Sequence, residues 1–332
     1  MRLKRIAALL PLCILIIMCI TGCKSKKVEV AWETKLNDTT LLKIDKETVS
    51  LYEARLILVN YRNLYIKALG HEIIGEAETD KDFDRYIRKT VLSELAKMKT
   101  MVVLAKERGI ELTDEEEKAA EKAADVYYGG LSDEERDYIN LSKDSIASLY
   151  KDYALAAKLY ATLSGGVNAE VSDDDARVMI VQQIVVGSKT LADNVSDKLG
   201  NGGNFTEIGN AYSEVSTREF KLYRQNMSDL VYAALSTLDD DAISTCIKED
   251  GKFIFYHVIS KIDRELTEEN KLVIVRERAK AAFDDVYEDA AANMNSTYNE
   301  ALFNELTIEA DCPCGTSDFF DIFKKYFSKY VE

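Results

Sequence analysis

Histidine is scarce in this chain of 332 residues, which contains only His71 and His257, far apart in the sequence. A helical zinc-protease motif needs two histidines close together, and no such pair is present. The glycine-rich P-loop and the Gly-x-Ser-x-Gly nucleophile elbow are also missing. The sequence therefore argues against the common zinc-dependent, nucleotide-dependent and serine-dependent hydrolases.

Basic residues are outnumbered, with 43 Lys and Arg against 58 Asp and Glu, which gives a formal net charge of −15. A strongly acidic chain is a poor partner for phosphate backbones, so we expect no nucleic-acid binding and no broad docking on anionic lipid. Hydrophobic residues make up 47% of the chain, which is enough for a packed core. The length suits two modest domains, or one domain with an insertion.

The cysteines give no disulfide framework, because only Cys246, Cys312 and Cys314 remain after residue 23. The Cys312-Pro313-Cys314 spacing is compatible with half of a metal site, with a redox pair, or with unpaired thiols. A tetrahedral zinc site wants four ligands, and no second ligand pair is apparent, so we predict no metal site. Unpaired thiols are the favoured interpretation, and the role of the pair stays open.

The N-terminus lacks an apolar run long enough to span a membrane, since Ile6 to Ile20 falls short of the roughly 20 residues required. Positive residues precede this run, and Ile20-Thr21-Gly22-Cys23 has the pattern of a bacterial lipobox. We predict a signal peptide over 1–22, lipidation of Cys23, and a tether over 23–38. The protein would then be lipid-anchored on the extracytoplasmic face of the cell membrane.

Helix-start signals dominate residues 39–170, after a short strand and turn near Thr39 to Glu47. Capping boxes, in which a Ser or Thr side chain and a Glu three residues later bond to each other's backbone N–H, begin at Ser50, Thr113 and Ser132. Ser142 is predicted to cap a further helix that runs through Leu163. This part of the chain is therefore predicted to be helical.

A different pattern follows, in which strands and helices alternate between Arg177 and Asp263. We predict the order strand, helix, helix, strand, helix, strand, strand. The predicted segments are a strand over Val178–Val186, helices around Leu191–Leu199 and Phe205–Ile208, a strand over Arg218–Tyr223, a helix over Met227–Leu235, and a hairpin of Ile243–Ile247 with Phe253–Ile262.

Several short motifs in this region occur together, among them Gly202-Gly203-Asn204-Phe205-Thr206-Glu207-Ile208 and Tyr256-His257-Val258-Ile259. With Gln183-Ile184-Val185-Val186 and Ala211-Tyr212-Ser213-Glu214, they resemble the parvulin class of peptidyl-prolyl isomerases found in SurA/PrsA-type extracytoplasmic foldases. The resemblance implies an α+β fold. A helical N-terminal domain (39–170) would be completed by a C-terminal helix (265–310), with a β-α-α-β-α-β-β parvulin-like domain (171–264) inserted and an aromatic tail (311–332) at the end.

The C-terminal part supports this layout with a long helical run. Thr267 is predicted to cap a helix from Glu268 to about Leu306, whose partly apolar face needs a packing partner. Beyond it, the aromatic residues between Phe319 and Val331 either pack onto the protein's own surface or lie on a membrane. Packing is the favoured alternative.

The resemblance also implies a site. A prolyl isomerase needs no cofactor, because it lowers a rotation barrier of about 18–20 kcal/mol by binding the twisted amide better than the planar one. Parvulins do this with two histidines on neighbouring strands, a Cys or Asp, and an apolar seat that includes a Met and a Phe. His257 and Met227 match this set. Gln183 stands at the first histidine position.

The remaining positions depart from the family pattern. Val215 falls at the Cys or Asp position unless Glu214 beside it substitutes, and Val231 falls at the Phe position with Leu230 adjacent. Structural roles are the alternative for His257 and Met227, as a hydrogen-bonded strand histidine and a core methionine.

We therefore expect a membrane-anchored foldase or chaperone that binds partly folded secreted polypeptides, with weak or lost isomerase activity. The alternatives are a fully active isomerase and a non-enzymatic ligand-binding or scaffolding lipoprotein.

Overall fold

The computed structural model describes residues 36–70, 81–307 and 312–330. The predicted signal peptide, Cys23 and nearly all of the tether lie outside these residues. The α+β class is confirmed, since many helices accompany two small antiparallel sheets. The chain divides into two compact units: unit 1 comprises 1–166 and 280–332, and unit 2 comprises 167–279.

The helices and strands are numbered here in chain order. Up to residue 166 they are β1 (Thr40–Ile44), β2 (Glu47–Ser50), α1 (Leu51–Leu69), α2 (Lys81–Glu107), α3 (Asp114–Gly130), α4 (Asp133–Ile139) and α5 (Lys143–Ser164). Then follow β3 (Val178–Val186), α6 (Lys189–Gly200), α7 (Phe205–Tyr212), β4 (Phe220–Tyr223), α8 (Asp229–Leu235), β5 (Ile247–Glu249) and β6 (Lys252–Ser260). The last elements are α9 (Arg264–Asn293), β7 (Ser296–Tyr298), α10 (Glu300–Glu305) and α11 (Phe319–Tyr326).

The predicted capping boxes are confirmed at the starts of α1, α3 and α4. At α1, the Ser50 side chain accepts the Glu53 backbone N–H at 3.1 Å, and the Glu53 carboxylate accepts the Ser50 N–H at 2.6 Å. Ser142 caps α5 as predicted. Each such cap stabilises its helix by about 1 kcal/mol, which explains why these starts can be read from short sequence patterns.

Two predictions for the last long helix are wrong. Thr267 does not cap it, because α9 already begins at Arg264 and the Asp263 carboxylate accepts the Leu266 N–H at 3.1 Å. Thr267 is instead buried and accepts the Val178 N–H at 3.2 Å. The helix also stops at Asn293, because the next residues form β7 and pair with β1.

The first strand of the predicted hairpin is misplaced. Ile243 forms only an isolated bridge with His257, and the strand that pairs regularly with β6 is β5, which starts at Ile247. Between Ile243 and Ile247, Ser244 bonds to β6 partly through its side chain. Its N–H donates to the Tyr256 carbonyl at 2.8 Å, and its hydroxyl accepts the Tyr256 N–H at 2.9 Å.

The aromatic tail packs into the core of unit 1, which is the favoured alternative from the sequence. Phe319 is fully buried, and its ring stacks on Tyr150 with centroids 4.3 Å apart and an angle of 8°. Its backbone is also fixed, since its N–H donates to Asn60 at 3.2 Å and its carbonyl accepts the Tyr150 hydroxyl at 3.0 Å. Tail and helices thus share one core.

Glu116 ties the end of the tail to α3 and α5. Its carboxylate closes the Thr113 capping box, bonds Lys158 at 2.8 Å and Lys329 at 2.6 Å, and accepts the Tyr330 hydroxyl. Burial alone would raise the pKa of this group, but these hydrogen bonds lower it to about 2. Glu116 is therefore ionised in the folded protein at neutral pH.

A pKa depressed by folding means that the stabilisation is present above the unfolded value, near pH 4.5, and is lost as pH falls toward 2. We expect Glu116→Gln to lower the free energy of unfolding at pH 7 by about 2–3 kcal/mol. The loss should shrink as pH approaches 2. Urea unfolding at pH 7 and pH 3 measures both effects. Glu115→Gln, at an exposed neighbour, is the matched control, and equal effects of the two substitutions would contradict the assignment.

Candidate functional site

The four strands of unit 2 form an antiparallel sheet in the order β4-β3-β6-β5, with β3 and β6 at its centre. Successive side chains of a strand point to opposite faces, so each face collects its own cluster. The α8 face carries Met179, Val181, Leu222, Met227, Val231, Leu235, Ile247, Tyr256 and Val258. The α7 face carries Ile184, Val186, Ala192, Val195, Phe205, Ile208 and Phe255.

His257 lies on the α7 face, between the β6 residues Tyr256 and Val258 that point the other way. Its ring centroid is 5.4 Å from that of Phe205, the first residue of α7. Its Nδ1 lies 3.1 Å from the Gln182 side-chain oxygen, and its Nε2 lies 3.9 Å from the Asp241 carboxylate. Since an amide oxygen only accepts, Nδ1 carries the proton in this contact.

The glutamine that contacts His257 is Gln182, a residue that the sequence analysis missed. In the register of β3 and β6, Gln182 is opposite His257, whereas the predicted Gln183 is opposite Tyr256 and so points to the other face. The Gln182 side-chain amide also donates to the Thr206 hydroxyl at 3.3 Å. Thr206, Gln182 and His257 therefore form a short polar chain. The regular alternation along β3 puts Gln182 on the face of Ile184 and Val186, and Gln183 on the face of Met179 and Val181.

Met227 and Val231 belong to the α8 face, where they are 7% and 2% exposed. Tyr256 lies in the same cluster, and burial raises the pKa of its hydroxyl. The structure therefore does not bring Met227 together with His257, because the sheet itself separates them. The predicted apolar seat is filled by packed side chains.

The other predicted substrate-binding residues are dispersed. Leu230 and Val215 are exposed, at 55% and 41%. The Glu214 carboxylate bonds the Lys252 ammonium at 2.6 Å, and its backbone N–H donates to the Val185 carbonyl at 2.8 Å. These contacts place Glu214 at the end of β3 rather than beside His257. The predicted substrate-binding residues therefore do not form one common pocket with His257.

Helix α7 reaches the sheet closely only because Gly209 has no side chain. A Cβ atom at Gly209 would lie 2.0 Å from the Thr217 side chain and 3.1 Å from that of Ile184. The close approach positions Phe205 and Thr206, at the start of the same helix, over the α7 face.

We expect Gly209→Ala to destabilise unit 2 by about 1–3 kcal/mol, because the added methyl group overlaps the Thr217 side chain and crowds Ile184 of β3. Gly200→Ala is the matched control: nothing lies within 4 Å of the added atom there, and alanine is the better helix former. Thermal unfolding followed by circular dichroism compares the two. A stability of Gly209→Ala equal to that of Gly200→Ala would contradict the proposed packing.

Unit 1 contains a cleft of about 970 Å³ near the turn between β1 and β2. Lys106 of α2 forms an ion pair with Glu47 there at 2.6 Å. The lining residues are Lys43, Asp45, Lys46, Glu47, Val103, Lys106, Glu107, Asn295, Ser296 and Thr297. Charges of both signs dominate this lining, which suits a polar or zwitterionic ligand better than an apolar one.

The structure describes residues 36–70, 81–307 and 312–330. Within these ranges, we find no cluster of three or more His, Cys, Asp or Glu side chains able to hold a metal ion. None of the helices in the same ranges combines the length and the apolar composition that a membrane span requires.

Comparison with known proteins finds no matching family model and no matching curated protein. Solved structures do match. One is a peptidylprolyl isomerase (PrsA) from Bacillus cereus, with 18% identity, 84% of this chain and 95% of that chain covered, and a TM-score of 0.38. Another, from work on SurA-like chaperones of Campylobacter jejuni, has 16% identity, coverages of 79% and 100%, and a TM-score of 0.31.

A third match is PrsA from Bacillus subtilis, with 16% identity, 76% and 93% coverage, and a TM-score of 0.27. These structures come from the same class of foldases and SurA-like chaperones that the sequence resembles.

Proposed function

We propose that the protein is an extracytoplasmic foldase or chaperone, anchored by a lipid on Cys23, which binds partly folded secreted polypeptides and has weak or lost prolyl isomerase activity. Unit 2 supports the foldase assignment. Its strands and helices follow the order β-α-α-β-α-β-β, and its two central strands, β3 and β6, carry the motifs Gln183–Val186 and Tyr256–Ile259. The domain layout inferred from the sequence is part of this proposal.

The observation that supports weak or lost isomerase activity is the separation of His257 from Met227. Isomerisation is accelerated only by groups that contact the same prolyl peptide as it twists. His257 and Gln182 face α7, whereas Met227 and Val231 are buried under α8. A single prolyl residue cannot contact both faces of a sheet, so the two halves of a parvulin-type site cannot act together.

A proline-limited refolding assay on residues 24–332 tests this proposal. We expect little acceleration by the unsubstituted protein and no further loss with His257→Ala or Met227→Ala, because neither residue would share a site with the other. Met227→Ala should lower stability by about 2–5 kcal/mol, as expected for a core methionine. Strong acceleration that both substitutions abolish would overturn the proposal.

Chaperone activity is measured separately, by suppression of the aggregation of an unfolded client. Suppression without acceleration of proline-limited refolding supports a chaperone that has lost isomerase activity. If the protein neither suppresses aggregation nor accelerates refolding, the foldase proposal as a whole is contradicted.

A second candidate function, binding of a specific polar ligand, is favoured by the charged cleft of unit 1. If this is the function, a saturable small ligand should bind, and Lys106→Ala should weaken its binding at least about tenfold by removing one charge-assisted contact. Calorimetric titration with a library of zwitterionic metabolites measures this. Leu69→Ala, at an exposed residue outside the lining, is the control. Client protection that is unaffected by Lys106→Ala, with no saturable ligand, would favour the foldase.

A further inference from the structure

The Cys312-Pro313-Cys314 segment precedes α11 in unit 1 and places two free thiols in contact. Cys312 is half-buried, Cys314 is only 3% exposed, and neither is in a disulfide. The Cys314 thiol donates a hydrogen bond to the Cys312 sulfur. Cys312 is thus the more accessible thiol of the pair, and Cys314 is the buried one.

The segment is fixed by two distant elements of unit 1. From α1, the Asn63 side-chain amide donates to the carbonyls of Cys314, at 2.9 Å, and Thr316, at 2.6 Å. From α4, the buried Glu135 carboxylate accepts the N–H groups of Gly315, at 2.7 Å, and Thr316, at 3.1 Å. These bonds hold the backbone on the C-terminal side of both sulfur atoms.

The surroundings favour a thiolate at Cys312. The hydrogen bond from Cys314 is the main cause that lowers the pKa of Cys312, to about 6. Burial opposes this shift, and the Arg62 charge and the Tyr138 hydroxyl assist it. The same hydrogen bond, together with burial, raises the pKa of Cys314. A lowered pKa at one thiol and a raised pKa at its neighbour are expected where the first thiol attacks a disulfide and the second resolves the intermediate.

We propose that Cys312 and Cys314 form a thiol–disulfide exchange site, with Cys312 as the nucleophile, that acts on disulfides of polypeptide substrates. The Cys312 thiolate attacks one sulfur of a substrate disulfide, so that a Cys312–substrate disulfide forms, the substrate S–S bond breaks, and one substrate thiolate leaves. Cys314 then loses its proton to that leaving thiolate and attacks Cys312. The second substrate thiolate is released and takes a proton from water.

The reaction balances without a further reagent: the protein dithiol is oxidised to a disulfide and the substrate disulfide is reduced to two thiols. A disulfide across a single intervening residue closes a small strained ring, and strained disulfides are readily reduced. The oxidised pair is therefore suited to return its oxidising equivalents to a substrate dithiol. The cysteine pair is separate from the His257 site of unit 2, and its proposed reaction does not depend on whether the protein has prolyl isomerase activity.

A metal-binding role has less support. Two thiols supply half of a tetrahedral site, and the part of the chain that the structure describes brings no third Cys, His, Asp or Glu into a common cluster with them. The bonds from Asn63 and Glu135 also occupy backbone groups rather than the sulfur atoms.

The experiment uses residues 24–332 with Cys246→Ser, which removes the third thiol, and oxidised glutathione as the disulfide probe. We expect loss of both free thiols without lasting glutathione addition, as an internal disulfide forms. Adding Cys314→Ser should leave a stable glutathione adduct on Cys312, and adding Cys312→Ser should slow the reaction at least about tenfold. Intact mass after acid quenching separates these products, and insulin reduction with excess dithiothreitol as the reductant measures turnover.

A second measurement requires no substitution. In the unsubstituted protein, alkylation of Cys312 by iodoacetamide should reach its plateau near pH 7, whereas that of Cys246, whose pKa burial raises, should still increase with pH. Tyr138→Phe should move the Cys312 profile to higher pH and leave the Cys246 profile unchanged. Equal reaction of Cys312→Ser and Cys314→Ser with glutathione, or parallel alkylation profiles for Cys312 and Cys246, would overturn the proposal.

Discussion

The two-residue repeat of side-chain direction in β3 and β6 is the constraint on which the functional interpretation depends. It places Gln182 and His257 on one face and Met179, Val181 and Tyr256 on the other. Each face is then closed by its own helix, α7 or α8, so the polar and apolar groups are kept apart by the thickness of the sheet. No rotamer change brings them together. A change of function at this module would require a change of strand register rather than of single residues.

The sequence predicts well those features whose causes lie within a few residues. Ser50 with Glu53, and Thr113 with Glu116, define helix starts because both partners of each bond lie within one turn. It fails where a distant segment decides the outcome. The helix expected to reach Leu306 ends at Asn293, because the residues that follow pair with β1 as strand β7. Thr267 does not cap the helix, because its hydroxyl accepts the N–H of Val178 in a distant strand.

The same distinction holds for the functional residues. His257 was identified from a local motif, but its partner was not, because the pairing of β3 with β6 sets Gln182, rather than the adjacent Gln183, opposite His257. The two cysteines were recognised by their spacing, but not the groups that assist in lowering the pKa of Cys312, Arg62 and Tyr138, which lie far away in the sequence. A linear pattern can indicate which residue types are reactive. Only the fold determines which groups surround them and hence what they can do.

The pairing of β1 with β7 has a consequence for how this protein is made. Asp45 and Asn295, which bond to each other beside these strands, are 250 positions apart, whereas unit 2 is continuous in sequence. During synthesis, unit 2 can fold as soon as it emerges, and β1 can pair with β2 at once, but the other edge of β1 must wait for β7 and hence for nearly the entire chain. Until then, one side of β1 has unpaired backbone groups, an open edge of the kind that attracts other chains. A protein proposed to protect newly exported polypeptides is, while nascent, in need of the same protection.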